Sequence, residues 1–170
     1  MEKQEKIKVG IFLGRLQPQH RGHEKMIEQI FKENDEIVLC IGSAQKIKET
    51  DPIFKKNPLS CKERMKRLGG FLDKKKFSKP YKIFTATDIQ PESAWPEHLK
   101  KSCRLTNREI NTVYFGDPIP KDYERYMEKA DLKLKFIDRK KFLYQTKKNT
   151  FHKISSATEI RELENDNKNL

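Results

Sequence analysis

The stretch GRLQPQHRGH, Gly14 to His23, carries the densest chemistry in the chain. It sets His20 and His23 three residues apart, with Arg21 and Gly22 between them and Arg15 just upstream. Such a pair supports three kinds of work. The imidazoles can be incidental, capping or packing at a turn. They can ligate a metal, but zinc hydrolases place histidines at i and i+4 with an intervening Glu. Here the spacing is i and i+3 with no third ligand nearby, so no metal ligand is assigned. Finally, imidazole N–H groups can bind phosphate oxygens and strengthen as charge develops on them. Position and composition favour this third use. The pair lies where an apolar run hands over to a helix, and helix-start N–H groups and the helix dipole attract an anion. Gly22 leaves room for a ligand to approach the backbone, and Arg15 can add a bidentate contact.

The elements that must hold these residues follow from periodicity. IKVGIFLG (Ile7–Gly14) reads as a buried strand. The stretch HEKMIEQIFKEND repeats apolar residues at helical spacing through Met26, Ile27, Ile30 and Phe31. EIVLCIGS (Glu36–Ser43) is a second buried strand, followed by a long polar loop through Leu59. Ser60 and Glu63 have the spacing of a capping box and open a helix containing Met65 and Leu68. Gly69 and Gly70 are expected to weaken or end it. Further strands read over Tyr81–Ile89, Asn111–Asp117 and Leu132–Asp138. Helices read after Pro96, over PKDYERYMEKAD, and over SATEIRELEND with Ser155 or Ser156 as its cap. This alternation predicts an α/β fold: a Rossmann-like, doubly wound, mostly parallel five-stranded sheet with helices on both faces. Ligands of such sheets sit beyond the carboxyl ends of the strands, here the loops GRLQPQH, GSAQ and FGDP.

With 170 residues, the chain suits a single domain over 1–170. Charged residues make up 36% and the net charge is +12, which draws polyanions or phosphorylated small molecules. The basic residues are spread along the chain without an aromatic-interleaved RNA motif, which disfavours nucleic acid as partner. Cys40, Cys61 and Cys103 lie far apart, so neither structural zinc nor a disulfide framework is expected, and a reducing cytoplasmic compartment fits. No apolar run reaches the roughly 20 residues of a membrane span, and the N-terminus does not read as a signal peptide.

GRLQPQHRGHEKMI resembles the HxGH motif of the nucleotidylyltransferase superfamily, and most closely the GRFQPxHxGH form of the archaeal-type nicotinamide-nucleotide adenylyltransferases. Other segments resemble that family in the same order: IGSAQ, NPLSCKERM (family NPFTxxER), DIQPESAW (DIxxNxxW), VYFGDP (VxSGNP) and SSATEIREL (SGTxxR). The resemblance implies transfer of AMP from ATP to nicotinamide mononucleotide, giving NAD and pyrophosphate. It implies that His20 and His23 bind the ATP phosphates and stabilise the transition state, and that Arg161 clamps the β- and γ-phosphates. Gly14, Arg15 and Gly22 would shape the ATP loop, with Ser156, Ala157 and Thr158 donating at the last helix. Gly42, Ser43, Lys56, Asn57, Asp88, Trp95 and Asp117 would line the mononucleotide site, with Trp95 stacking on the nicotinamide ring. Mg²⁺ would be held mainly by ATP and water. Relatives of this kind assemble, so a homo-oligomer is expected.

The chain departs from the family at four of these places. Lys56 stands where the family has an Arg on the mononucleotide phosphate, keeping the charge but not the bidentate fork, and Lys55 can share the contact. Glu92 and Asp117 replace two asparagines near the substrate, which bears on amidated against deamidated mononucleotide. Leu16 replaces an aromatic residue. Two alternatives stand beside this reading. One is another HxGH enzyme, a pantetheine-phosphate adenylyltransferase or cytidylyltransferase, though these lack IGSAQ and DIQPESAW. The other is a basic nucleic-acid-binding module.

Overall fold

The structure, a computed structural model, describes residues 6–55, 57–107, 109–117, 119–138, 143–145 and 151–153. Strands β1 (Lys8–Gly14), β2 (Glu36–Ile41), β3 (Tyr81–Thr85), β4 (Ile110–Phe115) and β5 (Lys133–Phe136) pair in the order β3-β2-β1-β4-β5. Every pairing is parallel, so the expected α/β, Rossmann-like sheet is present. Helices α1 (Arg21–Glu33), α2 (Cys61–Lys75), α3 (Trp95–Cys103) and α4 (Lys121–Lys129) connect the strands. Two short 3₁₀ turns, Pro52–Lys55 and Glu92–Ala94, lie inside connections. An antiparallel hairpin of β6 (Leu143–Gln145) and β7 (Phe151–Lys153) stands apart from the sheet.

Covering a parallel sheet on both faces makes its central strands apolar throughout. In β2, Ile37, Leu39 and Ile41 join the core under α1 and α2, while Val38 and Cys40 join the core under α3 and α4. β1 divides likewise, Phe12 to one face and Ile11 to the other. Helix α1 lies hard against β1. A Cβ on Gly10 would fall 2.4 Å from Asn34 Nδ2 and 2.5 Å from Ile30 Cγ2. Asn34 is itself fixed, donating to the Ile30 carbonyl (3.0 Å) and the Tyr114 hydroxyl (2.9 Å).

Several expectations need correction. Helix α2 runs through Gly69 and Gly70 to Lys75 and closes on Lys76, which takes the left-handed conformation with φ 50°. The two glycines meet open space, while Leu68, Phe71 and Leu72 on the other side are buried. Packing of that apolar stripe offsets the glycine cost of about 1 kcal/mol each. Met65, on the outer side, is 40% exposed. β3 stops at Thr85, short of Ile89, and α3 already starts at Trp95. The hairpin of β6 and β7 matches no element read from the sequence. The expected last helix, with Ser156, Ala157, Thr158 and Arg161, lies outside the described residues, as does Lys56. Among the described residues, no helix is long and apolar enough to cross a membrane.

Candidate active site

The carboxyl ends of β1 to β4 present their loops along one edge of the sheet. β1 ends at Gly14, where a Cβ would sit 2.7 Å from the Phe12 ring, so the turn closes directly over that ring. The chain then passes Leu16, left-handed at φ 54° and buried, and enters α1 with His20 as N-cap. The spacing of the histidines is explained here. His20 Nδ1 accepts the Gly22 N–H at 3.1 Å, and His23 Nδ1, at position N3, accepts the His20 N–H at 3.3 Å. This is a reciprocal capping box made of two imidazoles in place of Ser and Glu. Their ring centroids are 3.7 Å apart, and Phe12 meets His23 edge-on. Because each Nδ1 accepts, each ring carries its hydrogen on Nε2. The cap therefore fixes two neutral imidazoles, 4% and 6% exposed, as oriented N–H donors at a helix start.

The loops after β1 and β2 are joined by residues from α2 and the segment before it. Gln17 pairs with the Leu59 backbone in both directions, Nε2 donating at 2.7 Å and Oε1 accepting at 2.9 Å. Arg64, 2% exposed, donates from Nη1 to the carbonyls of Arg15 (2.8 Å) and Gly42 (2.7 Å), and from Nη2 to Ser43 (2.9 Å). Its Nε reaches the Ser60 carbonyl at 3.4 Å. Burial pulls its pKa below the ordinary guanidinium value, with Cys61 and Asp88 opposing that shift. Ser60 and Glu63 form the expected capping box below it.

On the other side of the edge, Ser43 is left-handed at φ 48° and donates from Oγ to Asp88 Oδ1 at 2.9 Å. Gln45 donates to Asp88 Oδ2 at 2.6 Å and accepts the Asp88 N–H at 3.1 Å. Asp88 thus ties the loop after β2 to the loop after β3. Trp95 is half-buried at the start of α3, its ring 6.2 Å from Tyr123 and 6.4 Å from His98 by centroid. Burial, with a contribution from the Glu92 carboxylate, pushes the Tyr123 phenol up to about 12.

The structure brings Gly14, Gly22, His20, His23, Gly42, Ser43 and Asp88 to one edge, with Arg15 exposed beside them. Asn57 is buried ahead of α2, and Asp117 is exposed after β4. Arg64, Gln17, Gln45 and Tyr123 escaped the sequence reading. Arg64 lies inside the quoted NPLSCKERM segment, but a helical Arg after a capping Glu carries no local sign of burial. A cavity of about 140 Å³, lined by Val9, Val38, Phe84, Cys103 and Arg104 among others, opens at the opposite edge of the sheet and touches none of these residues. Among the described residues, no group of three or more His, Cys, Asp or Glu could hold a metal ion.

A family model described as cytidylyltransferase-like matches residues 11–163. The nicotinamide-nucleotide adenylyltransferase of Pyrococcus horikoshii is 36% identical over 91 residues, 54% of this chain and 46% of that one. Its namesake from Methanococcus aeolicus is 32% identical over 112 residues, 66% of this chain and 59% of that one. The chain thus spans about half the length of the curated relatives it matches. Among solved structures, a bifunctional NMN adenylyltransferase/ADP ribose pyrophosphatase from Francisella tularensis superposes with TM-score 0.67 at 21% identity, over 92% of this chain and 41% of that one. The same enzyme has been solved complexed with AMP and a Mn ion (TM-score 0.62, 19% identity, 92% of this chain and 41% of that one). These two superpositions establish the fold.

Proposed function

Because the chain belongs to the cytidylyltransferase-like family, we propose that it is an adenylyltransferase that moves AMP from ATP to nicotinamide mononucleotide. A phosphate oxygen of the mononucleotide attacks the α-phosphorus of ATP. The bond from that phosphorus to the bridging oxygen of the β-phosphate breaks, and pyrophosphate leaves with the electron pair. No covalent enzyme intermediate forms, so the protein's task is alignment and charge stabilisation. The observation that carries this reading is the imidazole capping box, which fixes two Nε2–H donors at a helix N-terminus. His20 and His23 serve the ATP phosphates, and Gly14, Arg15 and Gly22 form the surrounding loop. By resemblance we assign Ser156, Ala157, Thr158 and Arg161 to the same phosphates. Gly42, Ser43, Lys56, Asn57, Asp88, Trp95 and Asp117 are assigned to the mononucleotide. The named activity of the archaeal relatives supports the choice of substrate.

Mg²⁺ enters as part of the Mg–ATP substrate, held mainly by ATP and water. The family match over residues 11–163 supports one nucleotidylyltransferase domain over 1–170. A cytoplasmic setting and a homo-oligomer complete the proposal, and sedimentation reports the latter.

The deciding assay is pyrophosphate release from Mg–ATP. Nicotinamide mononucleotide, its deamido form, phosphopantetheine and glycerol phosphate are offered separately. Release with only a pyridine mononucleotide is expected. Release with phosphopantetheine alone would move the substrate, and silence with all four would reject the reading.

A further inference from the structure

Arg64 stands out because a buried guanidinium normally meets a carboxylate, and this one meets four main-chain carbonyls. Those carbonyls are not a random set. Arg15 belongs to the loop that leads from β1 to the histidine pair. Gly42 and Ser43 begin the loop after β2, and Ser60 caps the helix that carries Arg64 itself. Nη1 alone bridges the two loops, with 2.8 Å to one carbonyl and 2.7 Å to the other. Ser43, whose carbonyl takes Nη2, is the residue whose hydroxyl fixes Asp88. The planar fork therefore bridges the starts of two loops that are otherwise tied by the Gly42 N–H to Gly14 carbonyl bond and, farther along, by the two Gln17–Leu59 bonds.

We propose that Arg64 is a positioning residue that holds the ATP loop and the mononucleotide loop in register, so that attacking and attacked atoms align. This rests on the adenylyl-transfer reading above. Each loop has its own local support: the imidazole box on one side, the Ser43–Asp88–Gln45 bonds on the other. Removing Arg64 should therefore spare each half-site and disturb their relation. In-line transfer is sensitive to that relation, since a misplacement of about 1 Å costs on the order of 100-fold in rate.

The test compares Arg64→Lys and Arg64→Met with the wild-type chain. Pyrophosphate release gives kcat. Calorimetry gives the affinity of Mg–ATP alone and of nicotinamide mononucleotide alone, and thermal melting gives the folded fraction. The expected result is a loss of kcat by about 10- to 100-fold per folded molecule. Each single-substrate affinity should change by less than about threefold. Arg64→Lys keeps the charge and most of the stem, so it covers the case in which Arg64→Met does not fold. It should share the kcat loss, because a single ammonium cannot reproduce the fork. Unchanged kcat per folded molecule in Arg64→Lys overturns the inference. So does a parallel loss of both affinities, or failure of both variants to fold, because each makes Arg64 a residue of stability only. Wild-type chain that releases no pyrophosphate removes the adenylyl-transfer reading itself, an outcome distinct from these.

Discussion

A histidine three residues after another is a frequent and weak pattern until the N-cap geometry explains it. His20 accepts the Gly22 N–H and His23 accepts the His20 N–H, each through Nδ1, so each ring carries its hydrogen on Nε2 at the helix start. His23→Ala should therefore lower kcat by about 10²- to 10³-fold with a smaller change in KM for ATP, since the donor matters most when charge develops. Steady-state kinetics on folded variant checks this. Trp95, half-buried against Tyr123 and His98, keeps part of its ring accessible. Trp95→Ala should raise KM for the mononucleotide several-fold more than KM for ATP, and equal effects would assign it to packing. Glu92 sits in the turn just before Trp95, close enough to raise the Tyr123 phenol. Its carboxylate should repel a deamidated substrate. Glu92→Asn should shift the ratio of kcat/KM values toward the acid by about fivefold, the equivalent of about 1 kcal/mol for a solvated charge pair. Competition between the two mononucleotides measures it.

Helices and strands were the most legible level, because their signals are local. The Ser60–Glu63 capping box was readable from spacing alone and is present in both directions. Donation from Ser60, by its hydroxyl and then its amide, holds the Glu63 carboxyl below its ordinary 4.5. A carboxyl lowered on folding adds stability that is full above 4.5 and is lost as pH falls below it. Glu63→Gln should accordingly flatten the decline of the melting temperature between neutral pH and about pH 3.5. Gly69 and Gly70 were legible as glycines but not as tolerated ones, since their tolerance comes from Leu68, Phe71 and Leu72 packing beneath them. Gly10 is the converse, unremarkable within an apolar run yet pinned by Asn34 and Ile30 across the α1 interface. Gly10→Ala should cost about 1–3 kcal/mol in denaturant melts, because Asn34 is held by two hydrogen bonds and cannot give way.

At the scale of the whole molecule, a net charge of +12 accompanies a site proposed to take two anionic substrates. Attraction of that kind is screened within about 8 Å at physiological salt. Raising ionic strength from about 50 mM to about 0.5 M should thus lower kcat/KM for ATP well before it lowers kcat. Stopped-flow binding and initial rates separate the two. The sequence by itself determined the alternation of elements, the parallel sheet and the edge on which the candidate site residues gather. Each of these follows from apolar periodicity, turn residues and the chirality of βαβ units, all local or nearly so. Only the tertiary structure decided that Arg64 is buried between loops 22 and 49 residues away. It also decided that Asp88 is tied to Ser43, 45 residues away, and that Trp95 leans on Tyr123. Those contacts depend on which distant segments the folded sheet brings together, and no window of neighbouring residues records that.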